Sequence, residues 1–398
     1  MDIPITPIED RLNGLDTAKR FTLVVLQSTS LCNLNCRYCY VPDRQNAAVM
    51  SPETLDAAYR LTVGCEDRLG ITHEFLWHAG EPLSVGLPYM QNAVERCTTI
   101  ALPDARFRFT MQTNGVLLTP AWARFLTDWD FSVGVSIDGP AILHNANRVN
   151  WAGRDSLDQA RRGLDNLMDA GCRAGVLAVL TRDSLDYPDE IFDYFLESGV
   201  PGVGFNIEEI ENENTSTSFD DDRNGSTQDH QKRLRAFFDR LFVRWWPHRE
   251  HIQIREFVDI QRSAAAFRSD PAFARSPDEA RPLGIVTVIR NGDVTTFSPE
   301  FAGASSERYN DFIVGNVHTL KSLNDVLDTQ AFKDLHADIY QGLNTCVETC
   351  AYHPVCGSAF ISNRFFEHGD FTQAETFTCL SMRKTVAEAL FDGLLGLN

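Results

Sequence analysis

Between residues 21 and 209, short apolar runs alternate with amphipathic stretches. FTLVVLQ (21–27), THEFLWH (72–78), RFRFTMQ (106–112), FSVGVSI (131–137), RAGVLAVL (173–180) and VPGVGFNIEE (200–209) read as strands. Helical spacing fills the intervals: 51–65, with Ser51 as a candidate N-cap, then 87–100, a segment from near Pro120, roughly 155–170, and 187–199. Strands alternating with helices in this way predict a parallel sheet with helices outside it. Six such units are too few for a closed eight-unit barrel. In related barrels chemistry gathers at the C-terminal ends of strands, so the residues just after each strand carry the most information.

Past the sixth strand the pattern changes. Residues 211–228 (ENENTSTSFDDDRNGSTQ) are polar and acidic and read as a loop or linker. A helix is expected over 229–246, carrying Trp245 and Trp246, and GIVTVIRNGDVTTFSPEF (284–301) reads as a β-hairpin turning at Asn291-Gly292. The expected division is an N-terminal extension (1–20), a barrel (21–235), a helical linker (236–283) and a C-terminal unit (284–398). No internal repeat interrupts it.

Composition narrows the class. The 398 residues are 43% hydrophobic, enough for a large core, and the net charge is −19. That charge argues against nucleic acid as a partner, which wants a basic face. The first residues, MDIPITPIEDRLNGLD, lack the apolar run of a signal peptide, and no run approaches the roughly 18 residues of a membrane span. The chain is therefore expected to be cytoplasmic, with no membrane partner, and most simply a monomer. Ten cysteines in such a chain point to metal or redox chemistry more than to disulfides. Cys65, Cys97 and Cys172 are isolated and read as small buried hydrophobes.

Cys32, Cys36 and Cys39 fall in CNLNCRYCY, directly after the first strand. Three thiolates on one short loop give an iron–sulfur cube three of the four ligands it needs. A zinc site would want its fourth ligand close by. This C-x3-C-x2-C spacing, with the aromatic Tyr38 before the third cysteine, resembles the radical S-adenosylmethionine (SAM) enzymes. The resemblance implies a partial (βα)6 TIM barrel and a 4Fe–4S cluster whose open iron chelates the amino and carboxylate groups of SAM. Reductive cleavage would then release a 5′-deoxyadenosyl radical, with the electron supplied by an external donor of flavodoxin or ferredoxin type.

The same resemblance assigns SAM contacts after the next strands. WHAGEPL (77–83) stands where these enzymes carry a Gly-Gly-Glu-Pro-like stretch, with Ala79 replacing the first glycine and Gly80 and Glu81 matching. Asn114 in QTNG (112–115) would meet the ribose or methionine end, or simply form a helix-entry turn. Ser136 in SIDGP (136–140) would meet the SAM carboxylate. Asp138 would bond substrate or shape the turn, and Arg148 would reach the carboxylate as a bidentate donor or stand on the surface.

Near the C-terminus, Cys346, Cys350, Cys356 and Cys379 make a second thiol set. It resembles a reduced form of the SPASM or twitch-like extension of peptide-modifying radical SAM enzymes. A full extension has seven cysteines and two auxiliary clusters. Here Phe297 and Phe360 fall in two of the cysteine slots, leaving one complete set. One closed auxiliary 4Fe–4S cluster is expected, with zinc as the alternative because four thiolates also suit it. Glu300, in FSPEF, lies near where these enzymes place an acidic general base. Glu208 and Glu209 compete with it.

Among such enzymes the cyclophane-forming peptide maturases are the nearest resemblance, through VVLQSTSLCNLNCRYCYVPDR (24–44), GFNIEEIE (204–211), TFSPEFAG (296–303) and FIVGNVH (312–318). It implies a precursor peptide as substrate and a carbon–carbon bond from a β-carbon to an aromatic ring. The alternatives are an anaerobic sulfatase-type formylglycine maturase, a thioether-forming maturase, or a non-catalytic iron–sulfur carrier. Only 31 residues precede Cys32, too few for a leader-gripping domain, so the precursor is expected to meet the barrel or the C-terminal unit. The loop 211–228 is a candidate for its entrance.

Overall fold

The computed structural model describes residues 21–220 and 226–397. The N-terminal extension and residues 221–225 of the polar loop lie outside the described residues.

The strands stand where the apolar runs predict: β1 (Phe21–Gln27), β2 (Thr72–Trp77), β3 (Arg106–Thr113), β4 (Ser132–Ser136), β5 (Arg173–Leu180) and β6 (Gly202–Ile207). Each pairs in parallel with the next. The intervening helices are α1 (Pro52–Leu61), α2 (Leu87–Ile100), α3 (Pro120–Asp128), α4 (Ala141–Asn147), α5 (Leu157–Asp169) and α6 (Pro188–Ser198). Ser51 does cap α1, its hydroxyl accepting from the Thr54 N–H. The α1 helix ends at Leu61 rather than 65, because Gly64 lies beyond it against the Tyr59 carbonyl.

The sheet continues beyond six strands. The short β7 (Gln253–Ile254) joins β6 in parallel. On the other side β8 (Ile285–Ile289) pairs in parallel with β1, and β9 (Asp293–Thr296) returns antiparallel beside it. Gly292, at φ 91°, makes the turn between them, and β10 (Gly315–Asn316) completes the edge. One ten-stranded sheet therefore crosses the sequence boundary at 284. The hairpin is locked to the barrel's first strand rather than hanging from a separate unit.

Two helices, α7 (Thr227–Trp245) and α8 (Arg255–Ser269), cover the β6 side. Trp245 is buried there and donates its indole N–H to the Ile252 carbonyl. The C-terminal unit carries α9 (Gln330–Thr349), α10 (Ile361–His368) and α11 (Thr385–Leu395). Its interior is aromatic: Phe301 stacks on Phe312 with ring centroids 4.4 Å apart, and Phe371 and Phe365 close around them. Of the isolated cysteines, Cys97 is fully buried, whereas Cys65 and Cys172 are half-buried. Among the described residues no helix is long and apolar enough to cross a membrane.

Candidate active site at the strand ends

The loop after β1 turns back over the C-terminal end of the sheet and presents Cys32, Cys36 and Cys39. It is held from outside by the segment after α4. Asn35 and Arg37 donate backbone N–H groups to the carbonyls of Val149 and Asn147, and the Trp151 indole donates to the Cys32 carbonyl at 2.8 Å. From inside, the AGEP turn presses against the loop. Gly80 has φ 65°, and a Cβ there would strike the backbone of Thr29, Ser30 and Leu31, so glycine is required. Ala79 adopts a similar φ of 63° without glycine's freedom.

Burial pushes the Cys32 thiol up to about 12, with Glu81 and the other two cysteines adding to it. Burial likewise raises Cys36 to about 11, although Arg148 opposes the rise. These sulfurs resist ionising alone and are close enough to feel one another. A cationic group taking all three would reverse that penalty. Among the described residues, no three His, Cys, Asp or Glu side chains converge tightly enough for a single metal ion. Three thiolates on one short loop are the donor set of an iron–sulfur cube that keeps one iron open, so the triad fits that group.

Beside the loop lies a cavity of about 200 Å³ at the strand ends. Cys32, Cys36, Tyr38, Cys39, Gly80, Glu81, Asn114, Ser136 and Arg148 all line it, so the residues singled out after separate strands are brought together. Their side chains are committed in ways that spacing could not show. Glu81 is 1% exposed; it accepts from the Leu83 and Asn114 N–H groups and the Thr113 hydroxyl. It thus binds the β2 turn to the β3 turn, and burial raises its pKa. Asn114 reaches Asn33 on the cysteine loop at 2.7 Å. Ser136 accepts from the Gln112 amide at 2.8 Å.

Arg148 is not on the surface. It is buried and donates Nε and Nη2 to the two oxygens of Asp138, both at 3.1 Å, and its guanidinium lies over the Tyr38 ring. Tyr38 in turn donates its hydroxyl to Asp138, and Asp138 accepts the Val179 N–H. The bidentate acceptor expected in SAM is, in this structure, Asp138. Burial disfavours the Arg148 charge, but Asp138, Tyr38 and Cys36 outweigh it and hold the guanidinium protonated.

A second cavity of about 300 Å³ adjoins the first and shares Asn206, Ile207, Glu209, Glu211 and Glu300 with it. Glu209, Glu211 and Glu300 are the carboxylates lining both, Glu211 buried and the other two half-buried. Burial and then Glu300 raise Glu209 to about 8. Burial raises Glu300, and the Ser298 hydroxyl bonded to it opposes the rise. Glu208 is occupied by Ser218, whose N–H it accepts at 2.8 Å. Glu211 accepts from Ser362 and Asn363 of α10. Sequence spacing missed Tyr40 and His78, which also line the first cavity and share a bond of 3.2 Å. Burial lowers His78 to about 4, so it is neutral at ordinary pH.

The barrel region, residues 26–182, matches the Radical SAM superfamily model. An uncharacterized Synechocystis protein, sll1766, is 33% identical over 394 residues, covering 98% of this chain and 96% of that protein. The chain belongs to the radical SAM superfamily. A cysteine-type anaerobic sulfatase-maturating enzyme of Clostridium perfringens is 28% identical over 183 residues, 44% of this chain and 48% of the relative. The chain thus matches about half the length of that curated maturase. The solved structure described as native anSMEcpe with bound AdoMet and Cp18Cys peptide shares the fold, with a TM-score of 0.75 at 20% identity. That likeness covers 95% of this chain and 98% of the other, so this radical SAM chain has the barrel and the C-terminal extension in the same arrangement.

In that extension Cys346 and Cys350 are spaced to share a face at the end of α9, with the Cys350 N–H on the Cys346 carbonyl. Cys356 ends a short turn from His353, and Cys379 ends another from Phe377. Burial pushes Cys379 up to about 12, and Cys356, Cys346 and Cys350 all add to the rise, so the four thiols share one neighbourhood. Phe297 is fully buried and stacked on Phe332, while Arg383 lies over the ring of Phe360. Aromatic packing occupies both slots where the longer motif has cysteine.

Proposed function

We propose that the chain is a radical SAM maturase of a ribosomally made precursor peptide, joining an aromatic ring to the β-carbon of a nearby residue. The observation that carries this is the paired cavity. The cysteine loop opens on one half, the other half is large enough to admit a side chain, and Glu209 and Glu300 stand between them. In this assignment Cys32, Cys36 and Cys39 hold the SAM-binding 4Fe–4S cluster, and Cys346, Cys350, Cys356 and Cys379 hold one auxiliary cluster. When bound, the first cluster and SAM supply the radical that removes a hydrogen atom from the peptide.

The protein's own residues do the rest. Gly80 lets backbone approach the loop, and Tyr38, Asn114, Ser136 and Arg148 shape the SAM side of the cavity. The Asp138–Arg148 pair fixes the turn after β4 against Tyr38. Closing a bond between a carbon radical and a ring leaves one electron and one proton to remove. Glu300, with Glu209 beside it, accepts the proton, and the auxiliary cluster that Cys346, Cys350, Cys356 and Cys379 would hold would supply the acceptor for the electron. Two half-buried carboxylates this close do not ionise together easily, which keeps one of them near the pKa a general base needs.

The sulfatase-maturase relative favours a second reading, oxidation of a Ser or Cys side chain to formylglycine. The two are separated by anaerobic incubation with SAM, dithionite and a short precursor encoded beside the gene. Crosslinking predicts loss of two hydrogens, fragment ions missing across the joined segment, and no reaction with a hydrazide. A hydrazide-reactive aldehyde at an unjoined residue would select the second reading. Iron and sulfide analysis should give about eight irons per chain for two cubes; about four irons with one zinc would remove the auxiliary cluster.

A further inference from the structure

Arg364, on α10, is 2% exposed and among the largest fully buried side chains of the molecule. A buried guanidinium is costly unless an anion meets it. Among the described residues its bonding partners are the Cys346 sulfur, 3.1 Å from Nη2, and the Phe371 carbonyl, 3.5 Å from Nη1. Neither is a carboxylate. Space for it is cut into α9: a Cβ on Gly342, one turn before Cys346, would strike both Arg364 Nη1 and the Phe371 carbonyl. A neutral thiol, which here can also donate to the Ala374 carbonyl at 3.4 Å, does not balance the guanidinium charge. A metal-held thiolate does.

Other cations stand near this cysteine set, among them Arg383, which lies over the Phe360 ring and acts on Cys356. Lys384 is paired with Glu375, and Arg275 lies 3.9 Å from Asp259. Arg364 differs from these in being fully buried with a hydrogen bond to a ligand sulfur.

We infer that Arg364 is a positioning residue for the auxiliary cluster, fixing Cys346 as a ligand and making the cluster easier to reduce. A donor bonded to a ligand sulfur, and a positive charge beside it, both favour the more negative oxidation state. This role rests on the auxiliary-cluster assignment proposed above, and the test separates the two. In the full chain carrying Cys32→Ala, Cys36→Ala and Cys39→Ala, only the C-terminal set can hold a cube. That protein is reconstituted anaerobically with Arg364 native, Arg364→Lys or Arg364→Met. Iron and sulfide are counted, and the midpoint is read by potentiometry with electron paramagnetic resonance.

The expected result is about four irons in each. The reduction equilibrium should fall tenfold or more in Arg364→Met, about 59 mV for a one-electron couple. Arg364→Lys, which keeps the charge but loses the planar fork, should fall by less. An unchanged midpoint in the iron-loaded variants overturns the role of Arg364. If Arg364→Met fails to load, the Arg364→Lys midpoint decides alone. Absence of iron when Arg364 is native overturns the auxiliary-cluster assignment instead.

Discussion

Cys32, Cys36 and Cys39 stand on an irregular loop beside the cavity, while Cys346, Cys350, Cys356 and Cys379 stand at helix and turn ends and line neither cavity. The first set is supported by backbone bonds from neighbouring loops and by one glycine cut to let the AGEP turn approach. The second is enclosed by helix packing, an aromatic interior and a buried arginine. A site that must admit a ligand leaves room beside its thiols. A site with a full ligand set can be packed shut. The difference lies in what surrounds the sulfurs, since both sets are of one residue type.

Substituting either set sharpens that contrast most. Cys36→Ala should abolish 5′-deoxyadenosine formation, whereas Cys350→Ala should retain it and lose the crosslinked product. Chromatography of both products after one reductive incubation is the check, and loss of SAM cleavage in Cys350→Ala would erase the distinction. Next in size, Glu300→Gln should slow product formation by about 10²–10⁴-fold with SAM cleavage retained. If Glu209→Gln shows that loss and Glu300→Gln does not, the base is Glu209.

The packed interior of the second region should be felt as stability. Phe301→Ala removes a fully buried ring from the aromatic stack and should cost about 3–5 kcal/mol in denaturant unfolding. A smaller effect is expected from pH. Burial and the neighbouring Glu300 raise Glu209, so the carboxylate form needed of the pair grows as pH rises toward about 8. Product formation should rise over that range. Glu209→Gln removes the group raised to about 8, so the rise over that range should be lost. A rise that survives the substitution would contradict the pairing. Least of all, Ala79→Gly relieves the positive φ at the AGEP turn but frees the unfolded chain, so a gain within about 1 kcal/mol is expected from thermal unfolding.

How much was legible follows from the range of the interactions involved. Alternating apolar runs located all six barrel strands, and Asn291-Gly292 located the hairpin, because each signal is local. The pairing of β8 with β1 was not legible, since nothing near residue 285 records a neighbour near residue 23. Tyr40 and His78 gave no spacing signal; they meet only when the β1 loop and β2 turn converge. Arg148 was legible as a bidentate donor, but its acceptor was set by the fold. Asp138, ten residues earlier, occupies both nitrogens.

The sequence by itself determined the strand-and-helix alternation, the two groups of cysteines and the short strings after strands two to four. All of these are patterns within a few residues of chain. Only the tertiary structure decided that those strings face one cavity, that Glu209 and Glu300 approach within electrostatic reach, and that a buried guanidinium without a carboxylate meets Cys346. Those facts depend on residues from distant segments being desolvated together, and the cost of that shared burial is recorded in the packed molecule rather than in the order of its residues.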